Sequence, residues 1–131
     1  MDYATIGWTN IFIVAVLVSP FVLTRLNKSL FNHKNKKLQS AIKFLRKLHK
    51  PFGFVLLIIS AIHGWLALGS LRLHTGTILY ATFFISGLLG IGFHKKKNKN
   101  LFTWHRRLVW VSVALLAVHL LMPGAVYQLM N

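Results

Sequence analysis

Seven histidines punctuate this mostly apolar chain of 131 residues, and four of them repeat one interval. His49 and His63 stand 14 residues apart, as do His105 and His119. At about 100° per residue that interval leaves a net offset of roughly 40°, so each pair shares one helix face. At about 1.5 Å per residue the members of a pair lie ~21 Å apart along the axis. Imidazole is a ligand for transition metals. Zinc prefers four converging donors, and a separation of ~21 Å within each pair forbids a four-histidine site. An iron porphyrin instead takes two axial donors from opposite sides, which two facing helices can present. A lone histidine in an apolar helix can simply hydrogen-bond to a neighbour. One interval repeated on two helices argues for paired ligation. His74 and His94 are 20 residues apart, which turns them to roughly opposite faces, and they read as boundary residues. His33 falls in a polar stretch.

The elements that must position these residues are long and apolar. Hydrophobic residues make up 55% of the chain and fall in blocks close to the roughly 20 residues that cross a bilayer. Four such blocks stand out: 6–26, 52–71, 76–93 and 108–126. The expected fold is an all-α integral membrane protein, one domain forming a four-helix transmembrane bundle with an amphipathic segment at the inner surface. That segment runs from Leu38 to His49, where Leu38, Ile42, Leu45 and His49 share one face. It is suited to lie on the membrane or to lead into the second span. Pro51 is expected to bend or restart the helix. The first block begins right after Asp2 and is read as a retained span, because a signal peptide has a basic start and a short apolar core. Pro20 within it is tolerable where neighbouring helices satisfy the freed carbonyl. Gly76, Ser86, Gly87 and Gly90 make the third span narrow enough to wedge between its neighbours. The run from Lys95 to Asn100 reads as a solvated loop that keeps the third and fourth spans adjacent.

Sixteen basic residues against one acidic give a formal charge of +15, and their positions matter more than the total. Nine run from Arg25, at the end of the first span, to Lys50, before the second, and six lie between the last two, with Arg72 alone elsewhere. Basic residues in short loops mark the cytoplasmic side. The expected topology in the cell membrane therefore has both basic loops inside and both termini outside. Such charge serves anionic lipid better than nucleic acid, which is not an expected partner. The absence of cysteine removes iron–sulfur clusters, thiolate-ligated haem and covalent haem attachment.

With four spans, the second and fourth run in the same direction. His49 and His105 then share the inner depth, and His63 and His119 share the outer one. Two b-type haems, one per leaflet, are expected between these helices. Gly53, Ser60, Ala67 and Ser112 fall within about 40° of the histidine faces and would leave room for a flat macrocycle. Lys50, Arg106 and Arg107 flank the inner ligands and suit the propionates of the inner haem. Arg72, with His74 or Tyr127, is the candidate for the outer one.

The segments LHKPFGFVLLIISAIHGWLAL and WHRRLVWVSVALLAVHLL resemble the haem-ligating helices of the ferric reductase-like transmembrane superfamily. That group includes ferric reductases, the NADPH oxidases and the small haem subunit of the bacterial methionine sulfoxide reductase system. The resemblance covers about residues 38 to 124 and rests on the paired histidines and the H-R-R-L start at His105. It implies haem b ligation by His49, His63, His105 and His119. Such proteins commonly have six spans, and many carry a fused flavin and nicotinamide domain; this chain has four spans and neither domain.

With both axial positions filled, a haem moves electrons and does not bind substrate. The expected function is electron transfer across the membrane, from a cytosolic reductant to an outside acceptor such as ferric iron or oxygen. No G-x-G-x-x-G fingerprint follows a strand, so a separate flavoprotein is the expected donor. Two other readings stand beside it. One is a quinone-linked cytochrome b exchanging electrons between quinol and superoxide; the other is a non-catalytic membrane subunit.

Overall fold

The computed structural model describes residues 2–131, all in helices and short turns, with no strand among the described residues. Four helices are long and apolar enough to cross a membrane: α1 Tyr3–Phe31, α2 Lys36–Leu68, α3 Thr75–Lys96 and α4 Lys99–Leu121. A short α5 follows, Ala125–Met130. The chain is thus an all-α protein with the helices of a multi-pass membrane protein. Few apolar side chains are buried, and large ones such as Phe54, Ile58, Ile62 and Trp65 line an exposed face of α2. A soluble protein rarely exposes so much apolar surface, whereas lipid tails would cover it. The chain falls into two compact units, the first ending at His63 and the second starting at Gly64.

In the first unit, Asp2 caps α1 by accepting from the Thr5 N–H at 3.0 Å and from the Thr5 hydroxyl. Those bonds hold the Asp2 carboxyl below its ordinary value, the Thr5 hydroxyl being the larger cause. Pro20 sits inside α1 without breaking it. A proline supplies no N–H, so the carbonyl four residues back loses its helical donor. That carbonyl belongs to Val16, and the Ser19 hydroxyl donates to it at 2.7 Å. The expected help from another helix comes instead from the adjacent residue. α1 ends at Asn32 and His33, whose φ values of 49° and 65° lie in the left-handed region that closes helices.

α2 then runs as one helix of 33 residues through Pro51. The amphipathic segment and the second span are continuous, and the helix does not restart. The carbonyl freed by Pro51 is that of Lys47, an exposed residue near the basic end, where water can reach it. Ile42 is buried, Leu38, Leu45 and His49 are half-buried, and Lys43, Arg46, Lys47 and Lys50 are exposed. The face read from the sequence is the face observed.

In the second unit, Gly69 closes α2 with φ of 62°, three residues before the expected end of the span. His74 caps α3, its Nδ1 accepting from the Gly76 N–H at 3.3 Å. Only Lys97 and Asn98 separate α3 from α4, so most of the expected loop is helix. Lys97 adopts the left-handed conformation, and the Asn98 side chain caps α4 through the Asn100 N–H at 2.9 Å. α3 and α4 pack as an antiparallel hairpin. α4 starts nine residues before its apolar block and stops at Leu121, ahead of Pro123.

Candidate functional site

Three of the four repeated histidines are held in the same way. In the first unit, His63 Nδ1 lies 2.8 Å from the Tyr3 carbonyl on α1. In the second, His105 Nδ1 lies 2.7 Å from the Ser86 carbonyl on α3. A carbonyl only accepts, so in each case the ring proton sits on Nδ1 and the lone pair on Nε2. His119 Nδ1 lies 2.9 Å from the Thr75 hydroxyl. That hydroxyl spends its own proton on the Pro123 carbonyl at 2.8 Å, so it too accepts from Nδ1. All three imidazoles therefore carry the tautomer suited to ligating iron through Nε2, with Nδ1–H tied to an acceptor as in metal-bound histidines.

Each of these rings also lies on a glycine. A Cβ added at Gly7 would come within 3.0 Å of His63 Cε1, at Gly76 within 3.1 Å of His119 Cε1, and at Gly90 within 3.3 Å of His105 Cε1. The geometry explains why. A helical side chain covers the turn on its N-terminal side, so a glycine uncovers the carbonyl four residues earlier. Gly7 uncovers Tyr3, and Gly90 uncovers Ser86. Before Gly76 the equivalent carbonyl is that of Arg72, which lies outside α3 and accepts from the Thr77 hydroxyl at 2.6 Å. Thr75 supplies the acceptor in its place.

The sequence carried a sign of this arrangement that was not read. Gly76 and Gly90 are 14 residues apart, the interval of the histidines they face. Small residues in α3 were expected to serve helix approach, and they serve as seats for imidazole rings. Thr75 and the carbonyl of Tyr3 gave no signal of their own.

The other expected site residues have varied surroundings. His49 is half-buried on α2. Gly53 is open enough that a Cβ there would meet no group within 4 Å, and Ser60, half-buried, lies two turns further on. Ser112 differs from expectation. It is 0% exposed, its hydroxyl 2.8 Å from Thr82 Oγ1 on α3 and 2.9 Å from the Leu108 carbonyl. It clasps α3 to α4 midway between His105 and His119. The Arg106 guanidinium lies 5.6 Å from the Phe102 ring centre and that of Arg107 5.3 Å from Trp104. Lys50 and Arg72 are exposed. His74, read as a boundary residue, meets His119 edge-on with ring centres 6.0 Å apart. Among the described residues no three histidine, aspartate or glutamate side chains converge on a point; bis-imidazole ligation needs only two. Comparison with known protein families, characterised proteins and solved structures gives no match to this chain.

Proposed function

We propose that this chain is a di-haem b cytochrome of the membrane that carries electrons from the cytosolic side to an acceptor outside. The observation that carries the reading is the common seating of His63, His105 and His119, each with Nδ1–H on a fixed acceptor and its ring against a glycine. Tautomer control of this kind prepares Nε2 for a metal and raises its basicity. Chance would not favour the same nitrogen being bonded, and a glycine lying against the ring, in three histidines of a 14-residue repeat.

In this reading His49 with His105 holds the inner haem, and His63 with His119 the outer. The haem iron, when bound, supplies a one-electron ferric–ferrous couple. The protein's own part would be to orient the imidazoles that ligate the iron and to exclude water with apolar helices. The basic inner face favours docking of an acidic flavoprotein as donor, and quinol within the bilayer is the other donor of suitable chemistry. Ferric iron and oxygen are the acceptors outside.

The test is a reduced-minus-oxidised spectrum of the purified full-length protein with haem quantified per chain. About two b-type haems are expected, and one in the His63→Ala and His119→Ala variants. A wild-type protein that stays colourless when expressed with abundant haem would overturn the proposal.

A further inference from the structure

The basic end of the first unit holds a cleft that the haem reading does not use. It has a volume of about 180 Å³ and is lined by Thr24 and Asn27 of α1, His33 of the turn, and Gln39, Ile42, Lys43 and Arg46 of α2. Positions 39, 42, 43 and 46 form one stripe of α2. Burial of Ile42 fixes that stripe toward α1 and brings Lys43 and Arg46 to the rim. The sequence offers these cations no carboxylate nearby, since its one acidic side chain, Asp2, caps the far end of α1. The Gln39 side-chain amide donates to the His33 carbonyl and braces the turn. The Thr24 hydroxyl is committed to the Pro20 carbonyl at 2.6 Å.

Asn27 sets the chemistry of the wall. It is 1% exposed, and its Oδ1 has no hydrogen-bond donor. A buried carbonyl left unmet is costly enough that such groups are rare in folded proteins. The cleft thus offers two cations to an anion, and its wall holds one unmet acceptor that a donor on the same ligand could satisfy. A phosphodiester bearing a hydroxylated headgroup has both. A choline headgroup has neither net charge nor a donor.

We propose that this cleft binds the headgroup of an anionic, hydroxyl-bearing phospholipid such as phosphatidylglycerol. Lys43 and Arg46 hold the phosphate, and Asn27 Oδ1 accepts from the headgroup hydroxyl. A lipid is favoured over a soluble phosphate ester because the cleft lies at the ends of two helices long and apolar enough to span a bilayer. There acyl chains can lie along exposed apolar side chains. The inference does not depend on haem.

The test is native mass spectrometry of the full-length protein in detergent, titrated with dioctanoyl phosphatidylglycerol, phosphatidylcholine or phosphatidic acid, or with glycerol 1-phosphate. One phosphatidylglycerol should be retained at concentrations about thirtyfold below phosphatidylcholine, the order of effect that two cations near a membrane exert. The K43A/R46A double variant should lose that preference, and the K95A/K96A variant, with the same loss of charge elsewhere, should keep it. Asn27→Leu should bind phosphatidic acid as before and no longer favour phosphatidylglycerol over it. Equal loss of the preference in both charge variants would overturn the site, because bulk charge would then explain it. Equal retention of glycerol 1-phosphate and lipid would overturn the lipid assignment. An unchanged phosphatidylglycerol preference in Asn27→Leu would overturn the role of the amide.

Discussion

At the scale of single residues, the histidine seats differ in a way that can be measured. The Cβ of an alanine at Gly7 would approach His63 Cε1 to 3.0 Å, and at Gly90 would approach His105 Cε1 to 3.3 Å. Both contacts are tight enough that the ring must give by a few tenths of an ångström, and more at Gly7 than at Gly90. If the proposed haems are bound, Gly7→Ala should therefore lose a larger share of the outer haem than Gly90→Ala loses of the inner one, as read by haem content per chain. Thr75→Val tests the hydroxyl relay. It preserves shape, removes the acceptor for His119 Nδ1–H and takes from the Pro123 carbonyl the hydroxyl that donates to it. A less basic imidazole stabilises ferric iron less. In the proposed di-haem arrangement the midpoint potential of the outer haem should rise in Thr75→Val and return in Thr75→Ser. Of this detail the sequence showed only the outline. The 14-residue interval marked the histidines, because helical periodicity is local. The acceptor of each Nδ1–H depends on which neighbouring helix brings an uncovered carbonyl to that depth, and no local pattern encodes it. The matching interval of Gly76 and Gly90 was the one legible trace.

At the scale of helices, the sequence predicted the existence of the four long helices and the inward face at the start of α2 well, and boundaries poorly. Hydropathy sees only the apolar blocks, so it missed that α1 and α4 extend into basic sequence at their ends. Caps decide those ends: Asp2 and Asn98 accept from first-turn amides, and Asn32, Gly69 and Lys97 turn left-handed. The two prolines show how a helix survives a missing donor. Ser19→Ala should destabilise the protein by about 1 kcal/mol, because the Val16 carbonyl then has neither Pro20 nor a hydroxyl to bond. In a Pro20→Ala background, where a backbone N–H returns, the same change should be nearly neutral. Thermal unfolding of the four proteins in this cycle measures the coupling. At the start of α1 the sign of a pH effect follows from the lowered Asp2 value. The cap contributes above the ordinary carboxylate range and is lost as pH falls through the lowered folded value. Exchange protection of the Thr5 amide should drop only in that acidic window, and Asp2→Asn should remove the dependence.

At the scale of the whole molecule, charge and cofactor order make one argument. Fifteen of the 16 basic residues lie in two regions, nine before and within the start of α2 and six around the α3–α4 turn. In the topology we propose from the positive-inside rule both regions face the cytosol, and a cysteine introduced at Lys96 should then react with an impermeant label only after permeabilisation. One introduced at Asn131 should react from outside. In the proposed di-haem arrangement the irons are separated by about the ~21 Å that 14 helical residues span. Electrons entering at the basic face must then reach the inner haem first. His119→Ala, which removes only an outer ligand, should leave reduction of the inner haem by a cytosolic flavoprotein close to the native rate. Transfer to an external, impermeant ferric chelate should fall by at least about tenfold, since a gap of that length is no longer bridged by a haem. A native rate to the external acceptor would show that electrons do not cross through this pair. Quinol oxidation at a single haem would then be the better account of the histidine repeat.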